Sequence, residues 1–310
     1  MPVAQVRGDI LYAWKGPSLI VTTPRGDCGG DHPLTGFYYR EARVLRVLRL
    51  EINGARPWLA EAAASAPDRL EFTYVHPEIS EYGGGGTGQA GDEEGVDDHG
   101  LPERSLAMHL TFIARAGGLE VALVIGNHAR QRVSFELTCA LDADFADIQE
   151  ALAFRTEQSA TVHVSARDAS ISFDYEHPQL QYRTRIEGSG WSAESSPTAR
   201  MKAAVGLDPQ ESKTFTLKID SSPSGRGLSH ETAQGMERAR DAWQSRFTDV
   251  TAPRSRDYER VLRRNVRDIA SFPMLDGQPD EWLAPQAGMP AYPAFFGRER
   301  GDRGMAGGDA

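Results

Sequence analysis

With 310 residues, 40% of them hydrophobic and 25% charged, the chain can bury a large core and has the make-up of a folded, water-soluble protein. A formal charge of −10 argues against nucleic acid or an anionic membrane surface as its main partner, because both select for basic patches. The N-terminus lacks a basic stretch followed by an apolar run, and no segment reaches membrane-spanning length, so a cytoplasmic protein is expected.

The first two thirds read as strands. "DILYAWKG" and "SLIVTTPRG" are short β-rich runs ended by Gly or Pro. "VLRVLRLEING" alternates for most of its length, with Val44, Leu45, Val47, Leu48, Leu50 and Ile52 apolar. Its Asn53-Gly54 is a hairpin turn signal. "RLEFTYVHP" is a further strand, stopped at Pro77. Residues 77–102, with four consecutive glycines and an acidic cluster, read as a mobile loop. The spacing of Asp92, Glu93, Glu94, Asp97 and Asp98 is not that of a calcium loop.

Strands resume with "RSLAMHLTFIARAGG", "LEVALVIGNHA" and "QRVSFELTCALDADF", the second and third reading as a hairpin turned at "NHARQ". Five more short β-rich runs follow, from "ATVHVSA" to "SKTFTLKID". Strands at this spacing, without intervening long helices, predict a mainly β protein: a large antiparallel β-sandwich followed by a short helical linker. The sandwich is expected over 1–222, the linker over 223–284 and a distinct segment over 285–310. In the linker, Met236, Ala239, Trp243 and Phe247 recur at helical spacing after a capping Ser229. A second helix carries Tyr258, Val261, Leu262, Val266 and Ile269 on one face.

Three stretches stand out: "GFYYREARVLRVLRLEING" (36–54), the run from Arg104 to Arg155 containing Asn127-His128-Ala129 and "DADFAD", and "AGMPAYPAFFGR" (287–298). Together and in this order they resemble the amino-terminal region of bacterial glycogen debranching enzymes of the amylo-α-1,6-glucosidase type. The resemblance implies a non-catalytic β-sandwich joined by helices to an (α/α)6 barrel that carries the catalytic carboxylates. It implies α-glucan or glycogen as the ligand, with no nucleic acid, membrane or cofactor, and contact with a separately encoded catalytic barrel as a further possibility. Arg298 matches the remnant of the family's sugar-binding motif, with Glu299 where the family has Asp.

Glycoside hydrolysis needs two carboxyl groups held across the bond. The resemblance puts that pair beyond residue 310, so no catalytic residue and no hydrolase activity are expected here. A frameshift is the expected origin of the polar tail: read one nucleotide later, Met305-Ala306 must give tryptophan, and the codons around it permit an apolar, helix-forming run. A free-standing α-glucan-binding module and a subunit pairing with a separate barrel are the alternatives. A binding module calls for an exposed aromatic strip on one sheet face.

The remaining chemistry-bearing residues have ordinary roles by this reading. Asp142, Asp144, Asp147 and Glu150 lie at a strand end, where carboxylates bond backbone amides. Arg40, Glu41 and Arg43 form an ion network. His109 and His163 lie on sheet surfaces and His128 in a turn. Trp191, Trp243 and Trp282 could stack on sugars but more commonly fill cores. Cys28 and Cys139 are free thiols, and zinc is not expected.

Overall fold

A computed structural model describes residues 9–30, 32–78, 96–153, 160–178, 180–223 and 255–271, with shorter pieces at 273–275, 282–285 and 288–290 and isolated positions between 235 and 251. The fold is mainly β and antiparallel. β1 (Leu11–Lys15), β2 (Ser18–Thr22), β3 (Gly36–Tyr39) and β4 (Ala42–Leu45) form a four-stranded meander. β5 (Val47–Ile52), β10 (Val133–Asp142), β14 (Ser192–Glu194) and β15 (Arg200–Leu207) form a second four-stranded sheet in the order β14-β15-β10-β5.

The third sheet has eight strands. They are β6 (Trp58–Ala66), β7 (Arg69–His76), β8 (Leu106–Arg115), β9 (Gly118–Asn127), β11 (Val162–Arg167), β12 (Ser170–Glu176), β13 (Gln181–Ser189) and β16 (Ser212–Pro223). Their order is β11-β12-β13-β16-β9-β8-β7-β6.

Alternation builds the core. Along β7, Leu70, Phe72 and Tyr74 point inward between half-buried neighbours; Met108, Leu110 and Phe112 point inward on β8, with His109 exposed and Thr111 half-buried between them. They meet Leu50, Leu137, Cys139, Met201 and Phe37 in one apolar cluster shared by the three sheets. Each such Leu or Phe contributes about 1.5–3 kcal/mol by leaving water. The opposite face of the small meander has a core of its own. Trp14, Leu19, Val21 and Tyr38 pack there with Ile10, Leu34 and Ile148, and Leu152 and Met289 close over them.

Two pairings differ from the sequence expectation. β9 and β10 are not a hairpin: β9 pairs with β8 and β16, while β10 pairs with β5 and β15 in another sheet. Asn127 explains the crossing. Its amide donates to the carbonyls of Gln131, Leu207 and Asp208, and its side-chain oxygen accepts from the Ala129 amide. These bonds turn the chain toward the other layer. The run from Val44 to Ile52 is likewise two strands. The doublets Val44-Leu45 and Val47-Leu48 cannot alternate with period two, and the chain bends at exposed Arg46 to pass from one sheet to the next. Asn53-Gly54 does make its turn, with both residues at positive φ and Ile52 bonded to Ala55 across it, but the strands it joins lie in different sheets.

Beyond β16, α2 (Arg256–Ser271) appears where the spacing predicts it. Leu262 and Val266 are half-buried, whereas Tyr258 and Val261 are exposed. Arg264 ties the helix to β6 by donating to the Ala64 carbonyl at 3.2 Å. A small sheet of β17 (Pro273–Leu275) and β18 (Trp282–Pro285) follows inside the region expected to be helical linker. Of the earlier predicted helix, positions 235, 238, 241, 242 and 245 are described; the first four are helical and Ser245 is in a turn, its amide donating to the Asp241 carbonyl. Ser229, Met236, Ala239, Trp243 and Phe247 lie outside the described residues. No described helix is long and apolar enough to cross a membrane.

Candidate functional site

The three stretches that stand out in the sequence come together at one corner. β3 and β4 are joined by a tight turn at Arg40-Glu41, with Arg40 at φ 59° and its amide donating to the Pro17 carbonyl at 2.6 Å. The loop after β10 is threaded along β4: the Arg43 amide donates to Ala146, the Phe145 amide to Arg43 and the Ile148 amide to Glu41. That loop ends in α1 (Ile148–Leu152), capped by Asp147, which accepts from the Gln149 amide while Glu150 reaches back to the Asp147 amide. Met289 from the third stretch rests on the second apolar cluster beside Tyr38, Ile148 and Leu152, and Pro290 is buried.

Arg43 is the electrostatic centre of this corner. Its guanidinium holds the Asp144 carboxylate through Nε to Oδ1 at 3.0 Å and Nη2 to Oδ2 at 2.5 Å, and donates through Nη1 to the Pro33 carbonyl at 2.8 Å. Burial disfavours the Arg43 charge, but Asp144 outweighs it, and the guanidinium is held above its ordinary value. Gly36 makes room for it. A Cβ there would lie 2.6 Å from Arg43 Cδ and 2.7 Å from the Leu45 carbonyl oxygen, at a φ of +147°.

Arg46 pairs with Asp142. The acids of 142–150 therefore hold the loop in place, as the sequence suggests. The expected ion network is only partly present: Arg43 belongs to it, while Arg40 and Glu41 have no ion-pair partner among the described residues. Burial and the neighbouring Asp147 raise the Glu41 carboxyl above the usual range.

Aromatic rings back the corner. Phe145 stacks on Tyr175 at 5.2 Å and 25° and on Tyr182 at 6.2 Å and 20°, and Tyr175 stacks on His177. Burial raises the Tyr182 hydroxyl, with Arg40 lowering it and Glu41 and Asp147 raising it further, and its ring packs against the main core. The position of Tyr182 was not singled out by sequence; only the register of β13 brings it here.

Other candidates are structural. Trp191 is a core residue, packed edge-on against Phe215 at 5.4 Å. His109 and His128 are exposed, and His163 pairs with Glu176 on the surface. Asp27 pairs with Arg56 at 3.2 Å above Leu48, Leu50 and Leu110, and Tyr74 donates to the Arg25 carbonyl, so this pocket is closed by its own groups. Among the described residues, no three His, Cys, Asp or Glu side chains are placed to hold a metal ion. Residues 79–95 and 291–310 lie outside the described residues, including the acidic run at 92–94 and the segment of Tyr292, Phe295, Phe296, Arg298 and Glu299, and so do the side chains of Trp243 and Trp282.

A family model described as the N-terminal domain of some glycogen debranching enzymes matches residues 14–218, a span that contains the hairpin tip, the β10–α1 loop and nearly all of the three large sheets. No curated protein sequence matches the chain. Among solved structures, a protein described as a kojibiose phosphorylase from the human microbiome aligns at a TM-score of 0.45 and 9% identity, over 86% of this chain and 35% of that one. A protein described as an aldose 1-epimerase from Escherichia coli K12 aligns at 0.42 and 10% identity, over 69% of this chain and 99% of that one. A galactose mutarotase-like protein from Lactobacillus casei gives 0.37 and 6%, over 69% and 100%.

Proposed function

The chain belongs to the family of glycogen debranching enzyme N-terminal domains, and from that premise we infer that it serves α-glucan breakdown as a non-hydrolysing domain. It contacts glucan and seats a helical-barrel catalytic unit, while bond cleavage belongs to that unit. The observation that carries this reading is the fate of the carboxylates at the corner. Asp142 and Asp144 are bound to Arg46 and Arg43, and Asp147 and Glu150 cap α1. A glycosidase needs two carboxyl groups free to face a glycosidic bond. Here four acids instead fasten a loop.

Met289, in the third stretch, packs on the second apolar cluster beside Leu152, which anchors that stretch to the domain. The reading as a free-standing binding module has less support. The exposed large aromatic residues among those described are Trp58 on β6 and Tyr258 on α2, which do not make a strip on one sheet face. Native electrophoresis through gels with and without glycogen tests the glucan contact. The chain is expected to be retarded by glycogen; equal mobility in both gels would contradict it.

A further inference from the structure

The outer face of the eight-stranded sheet holds an indole that the core does not use. Trp58 opens β6, fixed by the pairing of Trp58 with Val75 and of Leu59 with Tyr74, and it is 53% exposed. Alternation assigns the face. Tyr74, Leu106 and Ile125 are buried in the core, so their neighbours Val75, Ala107 and Gly126 point outward. Strand pairing sets Trp58, Val75, Ala107 and Gly126 side by side across β6, β7, β8 and β9, a row of about 14 Å at ordinary strand spacing. Away from Trp58 the row shrinks from valine to alanine to no side chain at all. At its far end stands the exposed His128. A Cβ on Gly126 would lie 3.6 Å from His128 Nε2, so the imidazole edges the space above this glycine. The backbone of His128 is tied down by its amide, which donates to the Ser105 carbonyl at 2.7 Å. Two rings thus bound a shallow trough floored by the half-buried Val75, Ala107 and Gly126.

We propose that this trough is a subsite for a stretch of neutral α-glucan, with the Trp58 indole stacked on a pyranose ring and His128 bonding to sugar hydroxyls. This rests on the reading of the protein as an α-glucan domain. An indole is flat and apolar with one polar handle, which matches the C–H face and rim hydroxyls of a pyranose. The missing side chain at Gly126 leaves room for a ring to approach the sheet backbone. One indole does not make the aromatic strip of an independent binding module; it makes a single contact within a domain. Charge selects the ligand class. The row holds no Lys or Arg, and the next outward residues on β6 and β7 are Glu61 and Thr73. An anionic glycan finds no Lys or Arg in the row and meets a carboxylate. A neutral polyol can donate to Glu61 and exchange hydrogen bonds with the imidazole and the threonine hydroxyl. Trp58 is carried by a paired strand rather than a loop, so little backbone ordering is left for the ligand to impose.

The test uses the full chain and its Trp58→Ala, Trp58→Phe and Gly126→Val variants, with Tyr258→Ala, at the exposed aromatic residue of α2, as control. Affinity for glycogen is read from gel retardation, and thermal midpoints are read in parallel. Trp58→Ala is expected to weaken binding by about tenfold, as loss of one stacking contact does. Trp58→Phe keeps a ring and recovers part of that loss. Gly126→Val fills the trough while leaving Trp58 in place, and also weakens binding. Tyr258→Ala matches the parent, and the thermal midpoint of Trp58→Ala stays close to the parent's, because the indole is exposed. Addition of maltoheptaose changes the tryptophan emission of the parent, and this change is lost in Trp58→Ala. If the parent binds glycogen and Trp58→Ala binds equally well, the contact lies elsewhere and this inference falls while the glucan reading stands. If binding is lost only in step with thermal stability, Trp58 is structural and the inference falls too. If heparin, an anionic glycan, competes with glycogen for the trough, the assigned ligand class is wrong. If the parent does not bind glycogen, the glucan reading itself fails and takes the inference with it.

Discussion

Arg43 and Asp144 stand 101 residues apart in the chain and meet through two hydrogen bonds, Nε to Oδ1 at 3.0 Å and Nη2 to Oδ2 at 2.5 Å. The pair joins the first four-stranded sheet to the loop that leaves the second. Its side chains are 11% and 22% exposed, so the pair is screened far less than the surface pairs around it.

Arg43→Ala leaves the Asp144 carboxylate and the Pro33 carbonyl without their donor. A loss of about 3 kcal/mol is expected, read from urea unfolding. A double-mutant cycle with Asp144→Asn should return a coupling of at least about 1 kcal/mol. Additive single effects would show that the two residues act independently.

Gly36→Ala tests the same corner through packing. A Cβ at 2.6 Å from Arg43 Cδ must displace the guanidinium stem, and at 2.7 Å from the Leu45 carbonyl it meets backbone that cannot give way. Adding the positive φ, destabilisation by roughly 2 kcal/mol or more is expected. Gly54→Ala is the contrast: it shares a positive φ but has open space around the new methyl, so its cost is smaller.

Much of this fold was legible in the sequence. The alternation in "RLEFTYVH" and "LAMHLTFIAR" marks both the strands and their inward faces, because one side of each is buried. The acids of 142–150 and Trp191 also have the plain roles their surroundings suggest. Strand partners were not legible. Asn127-His128 looks like a hairpin turn, but the decisive contacts of Asn127 reach Leu207 and Asp208, eighty residues away. The break at Arg46 was present as two apolar doublets, a signal that the period of two hides. That Arg43 rather than Arg40 takes Asp144 as its partner is a choice no local pattern encodes.

Acid stability depends on His76. The side chain is 4% exposed, and burial lowers its imidazole below the ordinary value, with Asp97 opposing and His99 adding to the effect. The unfolded imidazole takes up its proton near about pH 6.5. Below that point and down to the folded value, the unfolded chain binds more protons, so stability falls as pH drops through this window. Above it the contribution is complete and constant. Asp27, raised by burial, acts in the opposite sense: its stabilisation is full below its unfolded value and is lost as pH rises through its folded value. Urea midpoints at about pH 7.5 and about pH 5.5 should therefore differ less in His76→Gln than in the parent. An equal difference would remove His76 from the account.

The two thiols should be silent. Cys28 and Cys139 are fully buried, and burial pushes Cys139 up to about 12 and Cys28 higher still. The thiolate is the reactive form, so a disulfide reagent should label neither in the native protein and both in denaturant. Rapid labelling of the folded chain would contradict the packing around β5 and β10.

The central claim is that this domain handles α-glucan without cleaving it. The most direct measurement is glucose release from a limit dextrin by the purified chain, compared with a heat-inactivated sample. No release above that control is predicted, because the corner acids are bound to Arg43, Arg46 and the α1 cap. Sustained release that rises with protein concentration would contradict the account and require a catalytic carboxylate pair within this chain.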